Sequence, residues 1–443
     1  NDKYCLRKDY NDNKVTIDMD IENCKIVEPT PLSCFTYTKT ETEVTITNYS
    51  NSSGCPKDVT IPNEIEGLPV KIIGEYAFYA KQLTNITIHN GITNIEAGSF
   101  FLNQLTNLTI PNSVISIGES AFHRNQLTSV TLPNSLISIE VGTFTENQLT
   151  NITIPDSVID IGMYAFANNQ LTNITIPDSV TSIGCSAFND NQLPDSQAFI
   201  YKRNVDGSED KTTIVSYGGA KKENITIPNT VKNINEYSFS TTELISVAIP
   251  SSVINIGDYA FQNNQLTSIT FSEGIITIGK SAFVGNQLIN IILSNSVETI
   301  RESAFANNQL TSIVIPNNVT NIEYNAFAQN QLKNVTLPNN IETIEKHVFR
   351  SNKIESIIIP DSVTSIDDGA FWENQLTNLI LPNGITSIGE QAFASNQLTS
   401  VTIPSNVTIR TNSVSQSFYD AYNFTKVGGT YTAPSQTGTW TKQ

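Results

Sequence analysis

The chain has 443 residues, 39% of them hydrophobic and 15% charged, with 25 basic and 42 acidic side chains and a formal net charge of −17. That balance argues against nucleic acid, which is held by basic stripes, and the chain is too apolar and too regularly patterned to be disordered. No run of about 18 apolar residues is present that would cross a bilayer as a helix, so no transmembrane segment is assigned and a soluble chain is expected.

The head, 1–58, lacks the internal period of the central region and reads as an N-terminal cap. Cys5, Cys24, Cys34 and Cys55 fall in it without the CxxC spacing of a zinc site, which predicts two disulfides and an oxidising compartment. Three pairings are open, with Cys5–Cys24 and Cys34–Cys55 favoured. The chain starts at Asn1 with neither Met nor signal peptide, as a mature or trimmed product would. From 34 to 61, "CFTYTKTETEVTITNYSNSSGCPKDVTI" alternates around a Ser-, Asn- and Gly-rich turn, which predicts a hairpin covering the open end of the repeat region.

Beyond the head, Phe recurs at 78, 100, 122, 144, 166 and 188, then at 239, 261, 283, 305, 327, 349, 371 and 393. The spacing is 22 except for one gap of 51, so fourteen units surround an insertion of 29 residues. Solenoid segments are thereby placed at 59–193 and 223–404. Each unit reads L-x-x-I-x-I-P-[ND]-S-V-x-x-I-G-x-x-A-F-x-x-N-Q. In "NQLTNITIPDSVTSIGCSAF" (169–188), Leu171, Ile174 and Ile176 end in strict alternation, which predicts a short half-buried strand stopping at Pro177. Val180 and Ile183 point inward from a return limb, and "GCSAF" predicts a tight turn or single helical turn that drops Ala187 and Phe188 into the core.

One unit cannot bury its apolar side alone, so neighbours stack into a column. The predicted fold class is a β-rich repeat solenoid with short helical or 3-10 turns, a rod or horseshoe with a parallel sheet on one face. Asn closes the unit at 103, 125, 147, 169, 191, 264, 286, 308, 330, 352, 374 and 396, and this row is expected to satisfy backbone groups in adjacent turns.

The unit L-x-x-[IV]-x-[IL]-P-x-S-V-x-x-I-G-x-x-A-F, repeated over about 59–404, resembles the BspA-like class of leucine-rich repeats found on surface proteins of bacteria and of some mucosal protozoan parasites. The resemblance implies an extracellular or surface-attached right-handed horseshoe or rod used for adhesion to host matrix proteins, other cells or sugars, and not a catalyst. The chain departs from the pattern by closing each unit with "NQ", where many relatives carry Cys, and by a period one residue shorter than the commonest form.

The insertion, 194–222, contains "AFIYKRNVDGSEDKTTIVSYGG", two strand-like runs around "NVDGSED". A hairpin is expected that projects from, or mildly bends, one continuous solenoid. Asn204, Asp206, Ser208 and Asp210 alternate as in a calcium loop but lack its far Glu, and no metal is assigned. In the tail, 405–443, "SVSQSFYDAYNF" reads as a short helix or irregular cap. The Gly- and Thr-rich remainder reads as a spacer in which Trp440 belongs to a terminal strand.

Function has to come from positions where the copies differ. His89, His123 and His347 stand in separate units as surface residues and suggest no catalytic set, so neither an enzyme nor a cofactor is expected. Glu323, Glu345 and Asp367 occupy the same position in consecutive units, a row that would hold a cation or meet a basic partner unless it is simply a solvated edge.

The outward residue of each strand is Thr87, Thr109, Thr131, Thr153, Thr175 and Thr226 in the first part, a hydroxyl ladder whose geometry also suits ice binding. It then becomes Ala248, Thr270, Ile292, Val314, Thr336, Ile358, Ile380 and Thr402. Apolar residues facing water on an open sheet need a cause, either strand propensity with cross-strand packing or a partner. The expected function is non-enzymatic adhesion at or outside the cell surface, to a host matrix protein, a cell or a glycan. Its binding face would be Ile245, Ile289, Ile292, Val314, Lys333, Glu355, Ile358 and Ile380. The alternative is a structural protein whose exposed strands or open rod ends build filaments or a surface layer.

Overall fold

Each 22-residue unit closes one coil, and bonds between coils stack them. The computed structural model describes residues 5–8, 15–18, 29–423 and 426–443. The predicted strands are present as short parallel pairs, such as Asn107–Thr109 with Ser129–Thr131 and Ser312–Val314 with Asn334–Thr336. The return limb forms a second and longer ladder: Ser138–Ile139, Asp160–Ile161 and Ser182–Ile183 pair in sequence, and Asn233–Ile234 begins a run of five that ends at Asn321–Ile322. In the coils where glycine follows this strand it permits a close backbone approach, since a Cβ on Gly118 would lie 2.5 Å from the Ala97 backbone nitrogen.

The A-F corner is a turn rather than a helix. It bends through left-handed residues two before and two after Phe, as at Ser120 (φ 56°) and Arg124 (φ 55°) around Phe122. An L-residue in that conformation costs roughly 1–2 kcal/mol, so the position favours Gly, part of the gain being offset by glycine's chain entropy. Gln329 (φ 55°) is exposed, and Gln329→Gly is expected to raise the unfolding free energy by about 0.5–1 kcal/mol in a denaturant titration. A loss of stability would show that the corner is not strained.

Inside the coils the Phe rings form a column with centroids 4.8–5.7 Å apart and planes 3–17° from parallel. Beside them runs the Asn row. Asn308 Nδ2 donates to the carbonyls of Phe283 (2.9 Å) and Phe305 (3.2 Å), and its Oδ1 accepts from the Leu288 amide (3.0 Å). Within each run of Asn, a Phe carbonyl accepts from the Asn of its own coil and from that of the next, as Phe305 does from Asn308 and Asn330. Buried turns thus lose few of their backbone bonds.

The insertion is a hairpin, Phe199–Arg203 with Glu209–Tyr217, but it does not project. It lies across the column as a septum. Ile200 and Val215 pack into the first hydrophobic core, Ala198, Ile214 and Tyr217 into the second, and the two cores are separate clusters. The solenoid is continuous through the insertion, since Thr213 and Ile214 pair in parallel with Asn233 and Ile234, but its apolar core is divided there, because Ile214 to Tyr217 buries side chains on both faces of the strand.

This septum repeats the N-terminal hairpin, Phe35–Lys39 with Val44–Tyr49. Phe35 pairs with Tyr49 and Phe199 with Tyr217, and each hairpin shifts register before Tyr37↔Ile46 or Tyr201↔Ile214. Tyr49 stacks on Phe78 at 5.3 Å and Tyr217 on Phe239 at 5.2 Å. The chain is therefore two hairpin-headed units in tandem.

In the head Cys34 and Cys55 are bonded, whereas the expected Cys5–Cys24 pairing lies outside the described residues. The tail begins with the expected short helix, and its Gly- and Thr-rich remainder is not a spacer. The helix Gln416–Asn423 and the strand Gly429–Thr432, antiparallel to Ser400–Ile403, bury Phe418, Tyr422, Tyr431 and Trp440. Gln436 replaces the next rung of the Asn row, donating to the Phe393 carbonyl at 2.8 Å. The C-terminal end of the column is closed, and the expectation of open rod ends fails there.

Candidate binding surface

The strand limb presents an exposed–buried–exposed pattern, so alternate side chains stand outward at every coil. Ile292, Val314, Ile358 and Ile380 are 64%, 68%, 86% and 62% exposed and form one row, interrupted by Thr336. Val314 lies directly beside Thr336, and Ile380 beside Thr402. Ile289, Lys333 and Glu355 are exposed in the flanking row, three residues earlier in their coils, while Ile245 is half-buried. The row stops where the Thr402 and Thr430 hydroxyls meet at 3.0 Å and the terminal strand closes the sheet.

Such a row costs little as strand structure, since β-branched residues pack well along a pleat. Water nevertheless meets most of each side chain. Burying Ile358 against a partner would contribute about 1.5–3 kcal/mol.

Two surfaces were not anticipated. Ile115, Ile137 and Ile159, 58%, 53% and 48% exposed, form an apolar row immediately before the return-limb strands of the first unit. The "V-I-S-I" and "L-I-S-I" runs carried that signal, hidden beside buried Val114 and Leu136. Along the corner, Tyr79, Phe101 and His123 stack at 5.3 and 4.8 Å. In the second unit Arg350 lies 4.3 Å from the Trp372 ring centroid. Both aromatic runs fall on the residue after A-F, a position readable from the period alone.

The titratable groups offer little for catalysis. Burial lowers the pKa of His89, whose Nδ1 accepts from the Gly91 amide. His123 Nε2 lies 3.3 Å from Glu146, and His347 sits between Tyr324 and Trp372 with its pKa lowered by burial. His89 and His347 are thus partly withdrawn from the surface where sequence placed them. The Cys185 thiol is pushed up to about 11, chiefly by burial and then by Glu236, and stays protonated at neutral pH. In the insertion loop Asp206 accepts from the Ser208 amide and hydroxyl, and Asp210 from those of Thr212, so these carboxylates hold turns. Among the described residues, no group of three or more His, Cys, Asp and Glu is placed to hold a metal ion.

In the carboxylate row Glu323 accepts from the Glu302 amide at 2.9 Å. Burial, then Asp367 and Glu323, raises the Glu345 pKa. A carboxyl whose pKa is higher folded than unfolded loses stability as pH rises from the ordinary carboxylate range through the raised value. Glu345→Gln is therefore expected to raise Tm at pH 7 and to match the parent below about pH 4. Equal Tm values at both pH values would show that neither the burial of Glu345 nor its carboxylate neighbours destabilise the charged form.

A family profile described as the BspA type Leucine rich repeat region, in six copies, matches residues 71–194, 215–331 and 298–425. No curated protein matches the chain. Among solved structures, it is similar to a leucine-rich repeat protein from Eubacterium ventriosum (23% identity, 76% of this chain and 91% of that one, TM-score 0.48). It is also similar to the pneumococcal vaccine antigen PcpA (21% identity, 85% and 96%, TM-score 0.44). A leucine rich cell surface protein from Faecalibacterium prausnitzii is a third such likeness (22% identity, 86% and 96%, TM-score 0.39).

Proposed function

Because the chain belongs to the BspA type leucine-rich repeat family, we propose that it is a non-enzymatic surface or secreted protein that docks an extracellular protein on the outward strand row of its second unit. The observation behind this reading is the line of Ile292, Val314, Ile358 and Ile380 in water, on a frame whose own core is already complete. Interfaces draw their energy from a few central apolar or aromatic anchors, and a row of that kind supplies them. Repetition holds the anchors in register, so outward residues vary without disturbing the Phe column.

The test is binding to immobilised purified matrix proteins, namely fibronectin, laminin and collagens, by the parent chain and by Ile358→Asp. The parent is expected to bind at least one, and the variant to lose at least about tenfold in affinity with unchanged Tm. Binding that survives Ile358→Asp, or none to any matrix protein, refutes the reading.

Self-assembly is the second reading, and the same row is what favours it. The closed C-terminal end removes stacking of rods at that end, leaving side-by-side pairing of rows. Light scattering that gives the monomer mass of 48.6 kDa across concentration would exclude it.

A further inference from the structure

We propose that a cleft at the C-terminal end of the column binds a neutral oligosaccharide. It is an open cleft of about 690 Å³ between the last coil, the start of the terminal helix and the segment around Pro434, within the roughly 300–1,000 Å³ of small-ligand sites. None of its lining residues is charged, although the chain carries a net charge of −17. An ionic ligand would meet no counter-charge there.

The walls offer amides instead, each with donors and an acceptor. Gln391, Gln397 and Asn412 line the cleft, and among the described residues their side chains make no hydrogen bond. Gln436 and Asn396 also line it, but their amides are already committed to backbone groups of the last coils. Ala394 and Val414 add apolar wall.

Trp372 stands beside the cleft. The residue after A-F runs Arg350, Trp372, Ala394 in successive coils. Arg350 lies over the indole from the preceding coil, and the next coil places only the Ala394 methyl at the equivalent position. The indole Nε1 donates to Ser395 Oγ at 3.2 Å, and Ser395 is itself a wall residue. A sugar ring has an apolar C–H face and a rim of vicinal hydroxyls. An aromatic ring beside unpaired amides matches both, and uncharged walls select neutral sugars over acidic ones.

This site shares no residue with the strand row, so its failure leaves the docking reading standing. The experiment is calorimetry of the full chain with cellotriose, maltotriose, laminaritriose and chitotriose, and with 3′-sialyllactose as the acidic comparison. At least one neutral trisaccharide is expected to bind with Kd at or below about 1 mM. Gln397→Ala, an exposed position that leaves the fold intact, should weaken it about fivefold. Trp372→Ala should weaken it about tenfold or more, whereas Ile358→Asp should not change it. No neutral sugar bound at about 10 mM, affinities unchanged in both cleft variants, or binding of the acidic sugar alone would overturn the proposal.

Discussion

Phe122→Ala is expected to remove about 3–5 kcal/mol from the first unit and almost nothing from the second. Phe122 is fully buried, with Phe100 and Phe144 stacked on it at 5.3 and 5.6 Å, so truncation leaves a gap that neighbours on both sides cannot fill. The effect should stop at the septum. Repeat arrays pass stability between nearest neighbours, and here the apolar contacts end on one face of the hairpin and begin again on the other. Ile200 and Val215 of the hairpin pack into the first core, and other links between the units are polar: Asn189 donates to the Tyr237 and Ser240 carbonyls and accepts from Ser216 and the Tyr217 amide. Trp372 and Trp440 both lie in the second unit and are the only tryptophans. Tryptophan fluorescence therefore reports that unit, while far-UV circular dichroism reports both. In urea, the variant should show an early dichroism transition at an unchanged fluorescence midpoint. A fluorescence midpoint that falls with the dichroism would mean that the septum transmits, and that the column is one cooperative body.

The second large effect is expected at the Asn row. Asn308→Ala should cost about 3 kcal/mol, more than an ordinary buried amide, because one side chain serves two coils. It orphans the buried Leu288 amide and takes one of two donors from each of the Phe283 and Phe305 carbonyls. Asn308→Asp is worse at neutral pH. It turns a carboxylate oxygen toward those carbonyls, and burial raises the pKa of that carboxyl above its unfolded value. The penalty should shrink as pH falls through that raised value, since the protonated acid can donate one of the lost bonds. Equal stabilities for the parent and Asn308→Ala would show that water replaces the amide.

Much of this was legible because the period is strict. Fourteen Phe residues and twelve Asn residues at one spacing describe a stack almost without reference to propensity. The return-limb strands were less visible: "SI" is only two residues long and shows no alternation, and the residue after it is Gly in some coils, as at 118, but Arg301, Glu323, Glu345 or Asp367 in others. The tandem organisation was written in "CFTYTK" and "AFIYKR", and in "ITNY" and "IVSY". Each was readable as a hairpin, but their equivalence rests on pairing register and on Tyr in the Phe column, which no local pattern reveals. Composition misled in the tail, where Gly and Thr suggested a spacer while Tyr431 and Trp440 were core residues.

The candidate surface divides in the same way. Ile292, Val314, Ile358 and Ile380 were readable as outward because the strand alternates. Ile115, Ile137 and Ile159 were not, because they adjoin buried residues in a limb without readable periodicity. Trp372 and Arg350 occupy a repeat position with no fixed residue type, so only geometry brings guanidinium, indole and cleft together.

The two apolar rows allow a direct comparison. One variant carries Asp at 292, 314, 358 and 380, and a second carries Asp at 115, 137 and 159, each matched to the parent in fold by circular dichroism. Surface plasmon resonance against the same matrix proteins should show binding lost only in the first variant. Loss in the second alone, or equal binding by all three proteins, would contradict a docking face on the strand row of the second unit.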